Sequence, residues 1–171
     1  AKPLREPTVL LSPRVDGRES TFFEWQGAGL YRPGQHRGSM YGGAQAFCAL
    51  HFGFDLGSLY VRLDPAESPP RTAEVATGVR LSFHVGERIV KLTLPVLPDG
   101  QVHPGRLGEA AAGQVCFGEV LEAALPFEPL GLPPGARAAF TVVIFFPWDP
   151  DARRFRGERV FLGPGAEPPR A

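Results

Sequence analysis

The stretch Ala46–Asp64, AFCALHFGFDLGSLYVRLD, decides how this chain folds. Successive side chains of an extended strand point to opposite faces. Ala46, Cys48, Leu50, Phe52 and Phe54 therefore share one side, and Phe47, Ala49, His51 and Gly53 the other. Asp55-Leu56-Gly57-Ser58 supplies a turn, with an aspartate able to bond its own backbone and a glycine beside it. Beyond it Leu59, Val61 and Leu63 alternate with Tyr60, Arg62 and Asp64. The stretch reads as a β-hairpin with one core face.

The same period of two recurs downstream. Val79, Leu81, Phe83 and Val85 alternate with Arg80, Ser82 and His84, Gly86-Glu87 turns the chain, and Val90, Leu92, Leu94 and Val96 continue it. Short strands are expected at Phe22–Trp25, Gln114–Phe117, Val120–Leu125 and Arg159–Leu162, and Val9–Leu11 reads as an edge strand. Ala138–Phe146 is apolar on both sides, the pattern of a strand covered on both faces. Gln26–Gly43 reads as a long loop or a pair of irregular strands, and Pro65–Thr77, Pro98–Gly113 and Pro147–Arg156 read as loops, with one helical turn allowed over Leu107–Ala112. Prolines in Pro126–Leu132 exclude regular structure and predict a tight 3₁₀-like corner. About eight to ten short strands with almost no helical periodicity predict an all-β chain. The expected architecture is a two-sheet antiparallel β-sandwich, with a closed barrel as the alternative.

Composition narrows the function classes. The 171 residues suit one domain, with residues 1–13 as a linker or edge segment, 14–163 as the body and 164–171 as a tail. A hydrophobic fraction of 43% beside 21 glycines and 19 prolines marks a turn-rich globular chain rather than a disordered one. The net charge is zero and the 18 basic residues are scattered, which argues against nucleic acid as a partner. No apolar run approaches the roughly 20 residues that span a bilayer, so no membrane partner is expected. The N-terminus lacks a secretory pattern, which together with the family resemblance described below gives a cytoplasmic expectation, and its polar, proline-containing opening is compatible with a fragment of a longer protein. Cys48 and Cys116 are too few for a disulfide scaffold and read as buried free thiols.

Phe22-Phe23-Glu24-Trp25-Gln26-Gly27-Ala28-Gly29, then Met40, Gly53-Phe54-Asp55 and Leu59-Tyr60-Val61-Arg62-Leu63-Asp64 form a spaced pattern. It resembles the C-terminal β-domain attached to some glycoside hydrolase family 57 enzymes, the α-amylase and glucan-branching type. Val120–Phe127 with Leu130-Gly131-Leu132 and Pro134-Gly135 is similar to the strand–corner–strand of DOMON domains and family 9 carbohydrate-binding modules. The resemblance spans residues 13–162 and implies a β-sandwich accessory domain of a glycan-processing enzyme. The family's catalytic carboxylates would lie in a separate barrel. Two departures stand out: Ser39-Met40-Tyr41-Gly42-Gly43 lacks the family's histidine, and Pro147–Arg156 has no counterpart.

Sugar recognition on such a scaffold uses aromatic rings that stack on a pyranose, helped by polar neighbours. The available rings are Trp25, Tyr31, Tyr41 and Trp148, with Gln35, His36, Arg37 and Asp149 beside them, and α-glucan or an oligosaccharide as the partner. Trp25, at a strand end, has core burial as its competing explanation. Trp148, between Pro147 and Asp149, is the stronger ligand candidate. Glu24 and Glu122 are the acids a glycosidase reading would need, but nothing in the sequence brings them together, and Arg62 or Arg80 would pair with an isolated strand acid. The four histidines lack zinc-site spacing, and His51 and His84 would share an outer face if their hairpins were adjacent. Asp16, Asp55, Asp149 and Asp151 carry calcium-type oxygens, although the first two serve as turn residues. Neither a phosphate loop nor a nucleophile elbow is present. The expectation is a chain without a catalytic site or cofactor. It either binds α-glucan or packs as a structural domain on a catalytic domain or on its own copy.

Overall fold

The computed structural model describes residues 4–18, 24–32, 47–66, 78–132, 139–145, 148–149, 154–155 and 158–162, the last three segments as backbone alone. In chain order the strands are β1 (Leu4–Arg5), β2 (Gly29–Tyr31), β3 (Phe47–Phe54), β4 (Ser58–Pro65), β5 (Gly78–Val85), β6 (Arg88–Pro95), β7 (Val102–Leu107), β8 (Ala110–Phe117) and β9 (Leu121–Pro126). A single helical turn, α1 (Phe127–Leu130), follows, and then β10 (Ala139–Phe145), β11 (Trp148–Asp149), β12 (Arg154–Phe155) and β13 (Glu158–Leu162). Among the described residues no helix is long and apolar enough to cross a membrane.

Among the described residues all pairings are antiparallel, and eleven strands join in the order β1-β2-β3-β4-β9-β8-β7-β6-β5-β10-β13, with β11 and β12 as a separate ribbon. The all-β, antiparallel expectation holds. The division into two sheets is not what the pairing draws, because β6 and β7 remain joined at Thr93↔Arg106 where a sandwich would part. Instead the sheet curls into a half-barrel. Phe52 on β3 and Phe140 on β10 measure the curl. They are seven strand steps apart in the sheet order, which at about 4.8 Å per step would be roughly 34 Å in a flat sheet. Their ring centroids are 6.0 Å apart, edge to face.

The concave side is the core. Leu50, Phe52, Leu59, Val61, Leu63, Leu81, Phe83, Leu92, Leu94, Val115, Leu121, Leu125, Phe140 and Val142 are buried in one cluster. The two hairpins expected from alternation are present as β3–β4 and β5–β6. The first carries a correction in phase: a register shift between Phe47 and Ala49 puts Phe47, not Cys48, into the core. Cys48 is exposed and Cys116 buried, both free, and β4 and β9 lie between their strands.

Other expectations move. Pro98–Gly113 is not a loop; it holds β7, the turn at Gly108-Glu109 and the start of β8. Pro104 and Gly105 hid this strand, yet the sheet absorbs them by a register shift between Pro104 and Arg106. Gly105 is needed there for close approach, since a Cβ would stand 2.4 Å from the Ala112 carbonyl oxygen. The expected corner after β9 is one α-helical turn, closed by the Leu132 amide donating to the Phe127 carbonyl at 3.0 Å. The edge strand is Leu4–Arg5 rather than Val9–Leu11. The loop expected at Pro147–Arg156 includes the β11–β12 ribbon, and β10 is flanked by β5 and β13.

Candidate functional site

Residues directly opposite in an antiparallel pair share a face. Reading outward from Arg62, the cross-strand partners are His51 on β3 and Glu122 on β9, and Glu122 in turn pairs with Cys116 on β8. Their strand neighbours Leu50, Phe52, Val61, Leu63, Leu121, Ala123, Val115 and Phe117 fill the core, so this row lies on the convex face. A row of His, Arg, Glu and Cys on a strand face would ordinarily be solvated. Here it is covered.

The cover is the N-terminal strap, residues 11–18 and 24–28. Its apolar members Leu11, Trp25 and Ala28 form a second buried cluster, with Tyr60 packed against it. The Leu11 amide donates to the Phe54 carbonyl at 3.1 Å, and the Thr8 amide to the Gly27 carbonyl at 2.9 Å. Gly53 leaves room for the strap: a Cβ there would come within 2.6 Å of Leu11 Cδ2. Asp55 closes the adjacent turn by accepting from the Gly57 and Ser58 amides, both at 2.8 Å, and its other oxygen accepts from the Tyr60 hydroxyl at 2.8 Å and from the Ser12 hydroxyl. Burial opposes ionisation of Asp55, but these four hydrogen bonds outweigh it and hold the pKa below the usual carboxylate value.

Beneath the strap stand two carboxylates in different environments. Asp64 takes Arg62 Nε at 2.8 Å on Oδ1, and His51 Nε2 at 2.9 Å and Arg62 Nη2 at 3.3 Å on Oδ2. Burial works against this charge, yet the bonds and charges of His51 and Arg62 prevail and its pKa lies below the usual value. Glu122 is wholly buried. Its Oε2 accepts from the Trp25 indole at 3.0 Å, and its Oε1 from the Gly17 amide at 2.9 Å and the Asp16 amide at 3.4 Å. Burial, reinforced by the neighbouring Asp16 carboxyl, pushes its pKa up to about 7 against the pull of the indole bond. The Arg62 guanidinium turns to Asp64 and lies over the Trp25 ring, 5.7 Å from its centroid, while the His51 ring meets the same indole edge-on at 6.4 Å.

Comparison with protein-family models, with curated protein sequences and with solved structures finds no match. What the site can do is therefore read from its own geometry.

Of the residues expected to bind sugar, Trp25 and Tyr31 are 7% and 8% exposed. Trp25 sits in the turn Glu24–Gly27 rather than at a strand end, and Tyr31 lies on β2 and packs into the main core. Neither offers an open ring face, because the strap and sheet hold both. Trp148 and Asp149 form β11, whose backbone alone is described, while His36 and Tyr41, with Gln35 and Arg37, lie outside the described residues, as does Asp151. Glu24 accepts from the Arg14 amide at 3.3 Å. Asp16, like Asp55, serves a turn, accepting from the Arg18 amide at 2.9 Å. His51 and His84 do not pair, since β3 and β5 are far apart in the sheet order. Among the described residues no group of three or more His, Cys, Asp or Glu is arranged to hold a metal ion. Sequence reasoning missed Glu122 as the buried acid. In the sequence it reads only as an isolated strand acid, because the strap that covers it comes from residues such as Trp25 and Gly17, 97 and 105 positions away.

Proposed function

We propose that the chain is a non-catalytic β-domain accessory to a glycan-processing enzyme of the glycoside hydrolase family 57 type, working in the cytoplasm. One observation carries the reading: the residues that bear the resemblance converge. Trp25, Gly53, Asp55, Tyr60, Arg62 and Asp64 come from three separate motifs, and all lie in the strap and the convex face beneath it. Their polar side chains are bonded within the domain, Tyr60 to Asp55, Arg62 to Asp64 and the Trp25 indole to Glu122. Such a pattern supports a motif kept for architecture, the role an accessory domain asks of it. Contact with α-glucan then falls to Tyr41, His36, Trp148 and Asp149, and the sandwich kinship with DOMON domains and family 9 modules belongs to the same proposal.

Native electrophoresis of the full chain in gels containing glycogen or soluble starch tests this reading. Retardation that Trp148→Ala removes supports it, and unchanged mobility with both polymers sinks the sugar-binding part.

The burial of Trp25 and Tyr31 favours a second reading, a structural domain that packs on a catalytic domain or on its own copy. Large apolar side chains remain exposed, Leu56 at 85% and Leu10, Ile89 and Val102 among them. Sedimentation of the chain alone and with a family 57 catalytic barrel distinguishes the two readings. A complex with no affinity for starch favours the structural one.

A further inference from the structure

Glu122 belongs to β9, but both its oxygens are bonded to the strap, through the Trp25 indole and the Gly17 and Asp16 amides. Closing the strap takes this carboxyl out of water, and lifting it restores hydration. We propose that Glu122 is a protonation-sensitive latch, so that the strap closes over the convex face with uptake of a proton and loosens when that proton is lost.

The surrounding groups set the sign. From the strap, the neighbouring Asp16 carboxyl adds to burial in raising the Glu122 pKa, because a second negative charge there disfavours ionisation of the first. From β4, Arg62 is the cross-strand partner, but its guanidinium is engaged by Asp64, which also holds His51 from β3. From β8 comes the Cys116 thiol, itself pushed up by burial and then by Glu122 and Asp16, with Asp99 and Arg18 acting on it from the flanking turns. Glu24 lies on the strap beside Trp25 and accepts from the Arg14 amide. Glu119 follows β8, and its amide donates to the Gly17 carbonyl at 2.8 Å.

With the strap closed Glu122 titrates at about 7, and hydrated in the open state it returns to the ordinary 4.5. Because the closed state holds the proton more tightly, its advantage is complete below the open-state value and is lost as pH rises through the closed-state value. These two values make the opening constant rise about 30-fold between about pH 5.5 and about pH 8.5, levelling off above about pH 7.

Hydrogen exchange of the Trp25 indole N–H, followed by NMR on the full chain and corrected for hydroxide catalysis, reads this constant directly. The expected profile rises and bends near neutrality in the natural chain, and is flat in Glu122→Gln. It bends at lower pH in Asp16→Asn, which removes the like charge, and keeps its natural form in His51→Gln. A flat profile in the natural chain overturns the latch. So does a rise that survives Glu122→Gln, a bend that Asp16→Asn leaves in place, or a rise that His51→Gln abolishes.

Discussion

Replacing Trp25 by phenylalanine isolates one bond in the buried cluster. The benzyl ring keeps an aromatic surface under Arg62, but the indole N–H that reaches Glu122 Oε2 at 3.0 Å is gone. A hydrogen bond to a charged buried acceptor contributes about 1.5–3 kcal/mol, and a neutral one about 0.5–1.5 kcal/mol. The smaller ring also leaves unfilled volume next to Leu11 and Ala28, at a cost of about 1 kcal/mol. Glu122 is ionised above its folded-state pKa of about 7 and protonated below it. The deficit of Trp25→Phe is therefore expected at about 2.5–4 kcal/mol near pH 8.5 and about 2 kcal/mol near pH 5.5. For a chain of this size the larger figure lowers Tm by roughly 10 °C. Urea unfolding followed by far-UV circular dichroism at the two pH values measures both deficits. Equal deficits, or one below about 1 kcal/mol at the higher pH, would refute the assignment of the indole bond to a titrating carboxylate.

Three further outcomes follow from the same geometry. Asp64 has a lowered pKa, so its contribution is present above the ordinary 3.8 and lost as pH falls through the folded value. Asp64→Asn should cost about 1 kcal/mol near neutrality, discounted for partial exposure, with the gap closing in acid unfolding titrations. Phe140 meets Phe52 at 6.0 Å across the curl and its cross-strand neighbour Phe83 at 5.8 Å, and Phe140→Ala should cost about 3–5 kcal/mol in denaturant unfolding. A cost under about 1 kcal/mol would mean that the two ends of the sheet do not meet there. Thiol titration of the native chain should modify Cys48 promptly and Cys116 far more slowly, because the first is exposed and the second is buried beneath the strap. Two thiols reacting at one rate would contradict that placement.

Much of the sheet was legible because strand periodicity is local. The alternations at Leu59–Leu63 and Val79–Val85 mark one face for the core, and a two-residue turn such as Gly86-Glu87 fixes the partner strand. Legibility ended where the sheet tolerates what a single strand disfavours. Pro104 and Gly105 read as loop, yet a register shift and the close passage of β8 accommodate both. At Phe47 and Cys48 one extra residue reverses the faces, which alternation alone does not register.

The sequence by itself determined an all-β antiparallel chain, its two principal hairpins, and the turn roles of Asp16 and Asp55, since all of these follow from neighbours within a few positions. Tertiary structure alone decided the curl that brings Phe52 against Phe140, and the fate of the convex row. Glu122 lies 97 positions from Trp25 and 105 from Gly17. Only the strap folding back over β9 removes its carboxyl from water, and desolvation is a property of what surrounds a group in space, not along the chain.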